Sequence, residues 1–139
     1  MAAKSFNTLS GIIKQVEIKC DIAVKIVSLI IVDKLKDFIQ EDFYDLYYPR
    51  IYRRTYQLLE SPTYKIIGNA KSEIFINNDA MDYFDITGEE VAKLSMGGFH
   101  GSEAIFRPGL YWEDFSNWCN DNVLILLRSE LIKQGLNIR

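Results

Sequence analysis

The residues best suited to make contacts form one short segment that is rich in tyrosine and arginine. Between positions 47 and 59 the chain holds four tyrosines, three arginines and a proline. Arginine pairs bidentately with carboxylates and phosphates, and tyrosine gives a large contact area, so both are enriched where proteins meet. Base stacking on nucleic acid and local packing are the alternative roles. The candidate interface residues are Tyr48, Arg50, Tyr52, Arg53, Arg54 and Tyr56.

Charge is divided unevenly along the chain, and this division bears on the kind of partner. The net charge is −3, yet residues 49–71 sum to +4 and residues 72–139 sum to −6. A protein that binds nucleic acid without regard to sequence is usually basic overall. The acidic balance therefore favours a protein partner, because a basic belt on one copy could meet an acidic face on the next copy.

Catalytic and metal-binding patterns are weak in comparison. His100 is the one histidine in the sequence, and no cysteine stands near it, so neither a metal site nor a nucleophile–base pair is indicated. Cys20 and Cys119 lack CxxC spacing, and we expect reduced, buried thiols. The acids from Asp79 to Glu90 lack the spacing of an EF-hand, which favours a solvated acidic loop. We expect no enzymatic activity, no metal and no cofactor.

A glycine-rich segment is the second candidate site. It matches neither of the glycine patterns that cradle phosphates. Because glycine loses more backbone freedom on ordering than any other residue, we expect a flexible loop over residues 97–102 that orders on assembly. The residues assigned to this loop are Gly97, Gly98, His100 and Gly101.

Two long helices are predicted to position these segments. Apolar residues recur every three or four positions over residues 8–46, and Pro49 is expected to end that helix. A second apolar stripe predicts a helix over residues 111–134, in which Trp112, Phe115 and Leu126 should be mostly buried.

The middle of the first helix carries more apolar residues than one face can hold. Ile22, Ile26 and Leu29 form a stripe beside the main one. Either the helix crosses the middle of the domain, or one stripe contacts another subunit. The β-branched residues between Val24 and Val32 leave a buried strand as the alternative there.

Shorter elements complete the predicted fold. Two strand-like runs flank the Gly68-Asn69 turn, which predicts a β-hairpin over residues 63–77, and Thr87 with Glu90 forms a capping box for a short helix. The fold class is therefore α+β, with long N- and C-terminal helices packed on a small antiparallel sheet. We predict a single domain over residues 1–139, made of the long helix 8–46, the Tyr/Arg linker motif 47–62, the hairpin 63–77 and a helical part 87–134.

Together these segments resemble a family of phage proteins. The similarity is to the tail-completion or neck proteins of long-tailed phages, the group related to the minor tail protein Z of phage lambda. Those proteins carry a Tyr-x-Pro-x-x-Tyr-x-Arg-Thr-like motif followed by leucine and serine. The matching residues here are Tyr47, Pro49, Tyr52, Arg54, Thr55, Leu58, Leu59 and Ser61. Where many relatives have Thr-Gly, this chain has Thr55-Tyr56.

The resemblance implies a virion structural protein at the head–tail junction or the upper end of the tail. It would bind copies of itself, as a ring or homo-oligomer, and phage neck and tail proteins, without catalysis and without a membrane. Its place would be the virion, after assembly in the bacterial host cytoplasm. Two other classes stay open: a small nucleic-acid-binding accessory protein that uses the Arg/Tyr segment, and an enzyme with an acidic site around Asp79–Asp85.

Overall fold

Two long helices and one hairpin make up most of the fold. The computed structural model describes residues 8–46, 57–81, 87–96 and 110–138. The helices are α1 Leu9–Asp42, α2 Gln57–Glu60, α3 Gly88–Met96 and α4 Tyr111–Lys133; the strands are β1 Pro62–Gly68 and β2 Lys71–Ile76; and 3₁₀ turns span Tyr44–Leu46 and Asn78–Ala80. This mostly helical arrangement with a two-stranded antiparallel sheet confirms the predicted α+β class.

Helix α1 ends earlier than the sequence predicts. Its last residue is Asp42, and Phe43 leaves the helical region with φ −124° and ψ −65°. Pro49 therefore does not end this helix, contrary to the prediction. The turn brings Phe43 edge-on to Tyr44, with ring centroids 5.3 Å apart, and to Tyr111 of α4, at 6.3 Å. Aromatic packing against another helix thus decides the boundary.

Helices α1 and α4 pack side by side and run in opposite directions. Phe38, near the end of α1, meets Phe115, near the start of α4, with ring centroids 6.5 Å apart. At the opposite ends of the two helices, the Lys19 ammonium lies beside Gly135. Gly135 follows α4 with φ +88°, a left-handed conformation that suits glycine just after the end of a helix.

The hairpin covers only one flank of α1. Ser28 of α1 is buried and its hydroxyl lies 2.5 Å from the hydroxyl of Ser72 on β2. Ile22 and Leu29, on another face of the same helix, remain exposed. The segment is helical throughout, so the alternative of a buried strand is wrong.

The hairpin turn uses a different residue from the one that the sequence suggested. The strands pair antiparallel over nearly the predicted residues 63–77, but the positive φ of +49° belongs to Ala70, not to Gly68 or Asn69. The Ala70 N–H donates to the carboxylate of Asp21 on α1, with N···O 2.5 Å. This tertiary hydrogen bond accompanies a conformation that alanine rarely adopts.

Local signals at α3 are confirmed by the structure. The Glu90 N–H donates to the Thr87 hydroxyl at 3.2 Å, and the Thr87 N–H donates to the Glu90 carboxylate at 2.9 Å, which is the predicted capping box. On α4, Phe115 is buried as predicted, whereas Trp112 and Leu126 are only partly buried. The hydrophobic core consists of Val27, Ile31, Leu35, Ile39, Tyr44, Leu58, Met81, Ala92, Tyr111 and Phe115.

Truncation of a core side chain should cost far more stability than truncation of an exposed one. Leu35 has no exposed surface, whereas Leu124 is 78% exposed. We expect Leu35→Ala to lower the free energy of unfolding by about 2–5 kcal/mol through lost burial and a residual cavity. The control Leu124→Ala should stay within about 0.5 kcal/mol. Urea denaturation at low protein concentration measures both, and equal losses would contradict the described core.

Candidate functional site

The predicted contact residues lie outside the described part of the chain. The Tyr/Arg candidates fall within residues 47–56, and the glycine-loop candidates fall within residues 97–109. The residues concerned are Tyr48, Arg50, Tyr52, Arg53, Arg54 and Tyr56 in the first segment, and Gly97, Gly98, His100 and Gly101 in the second. What the structure supplies is the position of the residues that bracket each segment.

The Tyr/Arg segment begins and ends at the hydrophobic core. Tyr44 precedes it and Leu58 follows it, and both side chains are buried members of the same cluster. The short helix that carries Leu58 is also held to α1, because Lys36 forms an ion pair with Glu60 at 3.3 Å. The two points at which this segment joins the described fold are therefore held by the core.

The glycine-rich segment is bracketed in the same way. Ser95 of α3 precedes it and Tyr111 of α4 follows it, and their hydroxyls lie 2.8 Å apart in a buried hydrogen bond. Burial raises the pKa of the Tyr111 hydroxyl to about 12, so the ring stays neutral at physiological pH. This hydrogen bond joins the two ends of the segment.

Core residues beside all three interruptions of the described chain lie at one end of the molecule. The third interruption, residues 82–86, follows the buried Met81 and precedes Thr87 at the start of α3. Met81 belongs to the same core cluster as Tyr44, Leu58 and Tyr111. We call this end, defined by these four residues, the packed end. The residues that bracket the predicted contact segments are thereby brought together.

A pair of carboxyl groups lies where α1 and α4 meet near the packed end. One carboxylate oxygen of Asp42 lies out of solvent without a hydrogen-bond partner, although the group as a whole is only partly enclosed. Burial, and then the hydrogen bond and the negative charge of Asp114, raise the pKa of Asp42 to about 6. Sequence reasoning missed this pair, although Asp42 already stood in the apolar register of α1.

Other chemical candidates are few in the part of the chain that the structure describes. Burial raises the pKa of the Cys119 thiol, which leaves little thiolate at neutral pH. Those residues hold no group of three histidine, cysteine or acidic side chains placed to bind a metal ion. None of their helices combines the length and apolar character that a membrane span requires.

One open cleft lies away from the packed end. It has a volume of about 310 Å³ and separates α1 from the hairpin tip. Its lining includes Asp21, Ile22, Lys25 and Ile66. The Asp21 carboxylate in this lining accepts a hydrogen bond from the Ala70 N–H.

The structure therefore describes an α+β protein in which core residues of the packed end stand beside each interruption. Comparison with protein families matches residues 8–134 to the YomN family, and the chain belongs to that family. The YomN family is phage-associated. Neither a curated protein nor a solved structure matches the chain significantly.

The carboxyl pair predicts a pH-dependent gain from removing one charge. The pKa of Asp42 is about 6 in the folded protein against an ordinary value of 3.8. Between the two pKa values the Asp42 carboxyl is mostly protonated in the folded state and mostly ionised in the unfolded state. The stability that this proton contributes is therefore lost as the pH rises from about 4 to about 6. Asp42→Asn should therefore raise the melting temperature at pH 7.5, and the gain should shrink towards pH 4.

The control for this prediction is Asp37→Asn, which removes an exposed carboxyl from the same helix. It should show no comparable gain at pH 7.5. Thermal unfolding followed by circular dichroism at five pH values between 4 and 8 measures both variants. A gain for Asp42→Asn that is the same at every pH would contradict the assignment.

Proposed function

We propose that this protein is a phage virion structural protein at the head–tail junction or the upper end of the tail. It acts in tail completion and head–tail joining, through contacts with other proteins. The observation that carries the proposal is membership of a phage-associated family over residues 8–134. The Tyr-x-Pro-x-x-Tyr-x-Arg-Thr-like motif supplies the more specific resemblance to tail-completion proteins.

The arrangement of the packed end supports a role in assembly. The residues that bracket the Tyr/Arg segment, Tyr44 and Leu58, are buried in a common core. A contact segment whose ends are fixed loses less freedom on binding than one that hangs from a single attachment. The packed end is thus a suitable base from which residues 47–56 can meet a partner.

Charge supports copies of the same chain among the partners. Residues 49–71 sum to +4, and residues 72–139 sum to −6. Contact between the basic belt of one copy and an acidic face of the next is heterologous, which is the geometry that closes rings. We propose partners of two kinds, further copies of this chain and phage neck or tail proteins, in a virion assembled in the host cytoplasm.

The same proposal assigns no catalytic step to the protein. Assembly requires complementary surfaces, and the candidate residues Arg50, Arg53 and Arg54 would act by pairing with carboxylates. Electrostatic pairing of this kind controls the association rate and the choice of partner more than it controls total affinity. Its loss should therefore be visible in assembly and not in folding.

Reversing two arginine charges should block assembly while leaving the fold intact. The variant Arg53→Glu with Arg54→Glu is tested by complementation of a phage that lacks this gene. We expect at least a tenfold drop in joined particles, because the two introduced carboxylates would repel the carboxylates that the arginines pair with. Electron microscopy counts free heads, free tails and joined particles, and circular dichroism checks folding of the purified variant.

The control reverses the same amount of charge elsewhere. Lys14 and Arg128 are both exposed, on α1 and on α4, and lie outside the basic belt, so Lys14→Glu with Arg128→Glu should complement normally. Full assembly by the Arg53/Arg54 variant would reject the assigned contact residues. Normal virions from the gene deletion would reject the function itself. A salt-dependent shift of labelled DNA by the wild-type protein would instead favour the nucleic-acid-binding class.

A further inference from the structure

Exposed apolar side chains are concentrated at the end of the molecule opposite the packed end. Every large exposed apolar residue of α1 lies between Leu9 and Ile30, and every one of α4 lies between Leu124 and Ile132. Because α1 and α4 run antiparallel, these two stretches lie at the same end. We call it the two-helix end, defined by residues 9–30 of α1 and 124–133 of α4.

One face of α1 at this end is apolar and uncovered. Ile22, Ile26 and Ile30 follow one another at intervals of four residues, which places them along one strip of the helix surface. Ile22 is 41% exposed and Ile30 is 37% exposed, and Ile26 between them is partly exposed. This strip lies away from Ser28, which faces the hairpin, and from Val27, which faces the core.

Charges stand at both ends of this apolar strip, and they have opposite signs. Lys19 precedes Ile22 by three residues, and Asp33 follows Ile30 by three residues. At about 100° per residue all five positions fall within an arc of about 80° on the helix. Neither Lys19 nor Asp33 makes an ion pair within the described part of the chain.

These residues are placed symmetrically about Ile26, with isoleucine at matching positions and opposite charges at the two ends. Counted from Ile26, isoleucines stand four positions away on both sides, and a lysine and an aspartate stand seven positions away on opposite sides. Two copies of α1 placed antiparallel with Ile26 on the two-fold axis would therefore put Ile22 against Ile30 and Lys19 against Asp33. Each of these contacts would occur twice, as an isologous interface requires.

We propose that this face of α1 binds the same face of a second copy, antiparallel, with the two-fold axis at Ile26. We call it the α1 face, defined by Lys19, Ile22, Ile26, Ile30 and Asp33. The pairing buries the surface that these isoleucines leave exposed in the described chain and pairs two charges of opposite sign. A membrane would match the isoleucines but would leave Asp33 against an apolar phase. A nucleic acid would match Lys19 but would leave Asp33 against a like charge.

The size of the α1 face sets the expected strength of the pairing. Exposed apolar patches beyond a few hundred Å² usually mark interaction sites. The α1 face spans residues 19–33, a length of about 21 Å at 1.5 Å per residue. This places the interface at the small end of stable pairs, below about 1,200 Å² in total. We therefore expect dissociation in the micromolar range, so that monomer and dimer interconvert with concentration.

Sedimentation velocity of the purified full chain from about 1 to 300 µM tests the proposal. We expect the wild type to shift from monomer to dimer over this range. Ile26→Glu places like charges against each other on the axis and should weaken the dimer at least tenfold. Ile22→Glu, at a more exposed position, should act in the same direction, and it keeps the test decisive if Ile26→Glu does not fold.

The matched control is Leu94→Glu on α3. Leu94 is 39% exposed, close to the value for Ile22, but it lies on a different helix outside the two-helix end. It should leave the dissociation constant unchanged. Equal weakening by Leu94→Glu and Ile22→Glu would show a nonspecific effect and would overturn the assigned face.

A charge swap tests the antiparallel orientation. Lys19→Glu should weaken the dimer because it sets the introduced carboxylate of each copy against Asp33 of the other. Adding Asp33→Lys to the same chain restores opposite charges across the axis and should recover wild-type affinity. In a parallel pair Lys19 would face Lys19, so Lys19→Glu alone would exchange one like-charge contact for another and leave the affinity unchanged. That result would overturn the proposed orientation.

Two further outcomes would overturn the pairing itself. The first is a wild type that stays monomeric at 300 µM. The second is co-sedimentation of the wild type with neutral phosphatidylcholine vesicles, if Ile22→Glu abolishes that binding. The inference goes beyond the proposed function, because it concerns purified protein and a surface that contains none of the proposed contact residues. Failure of α1 pairing would leave the phage assembly assay unaffected, and failure of that assay would leave the sedimentation result standing.

Discussion

The antiparallel contact between α1 and α4 is the constraint on which the rest of the structure depends. Phe38 and Phe115 meet near one end of this contact, and Tyr111 adds a buried ring that also bonds to α3. A two-stranded hairpin has little stability of its own. Here it is held to α1 by the hydrogen bond between the Ser28 and Ser72 hydroxyls and by the bond that the Ala70 N–H donates to Asp21. The sheet therefore depends on the helix pair for its stability.

This dependence explains why the molecule has two unlike ends. The core gathers side chains from α1, α2, α3 and α4, but it stops near Val27 along α1. Beyond that point, among the described residues, α1 is flanked by the end of α4 and the hairpin tip, and its remaining surface is left exposed by them. The excess of apolar residues between Ile22 and Leu29, visible in the sequence, is thus not absorbed by the chain's own core.

Elements set by local rules were predictable from the sequence. The periodicity of α1 and α4, the Thr87–Glu90 capping box and Gly135 as a helix stop each depend on residues close together in the chain. Features set by distant residues were not predictable. The end of α1 at Asp42 follows from rings that meet across the fold, and the positive φ at Ala70 accompanies a hydrogen bond to Asp21.

The features of the candidate site also differ in whether nearby or distant residues determine them. Segregated charge and the Tyr/Arg run were visible in the sequence, whereas the shared position of the bracketing residues required the fold. The raised pKa of Asp42 could not be foreseen, because its causes include burial and a carboxyl group far along the chain, at Asp114. The symmetric placement of residues around Ile26 was present in the sequence, but only the fold shows which face of α1 is exposed.

The close spacing of the bracketing residues has an evolutionary consequence. The entropy of closing a loop grows only slowly with length, by about 0.6 kcal/mol for each doubling. Residues 47–56 and 97–109 each stand between residues of the core, Tyr44 and Leu58 for the first and Ala92 and Tyr111 for the second. Insertions and substitutions there can accumulate with little loss of folding free energy. The sequences of these segments can therefore diverge between related chains much faster than that of α1 and α4.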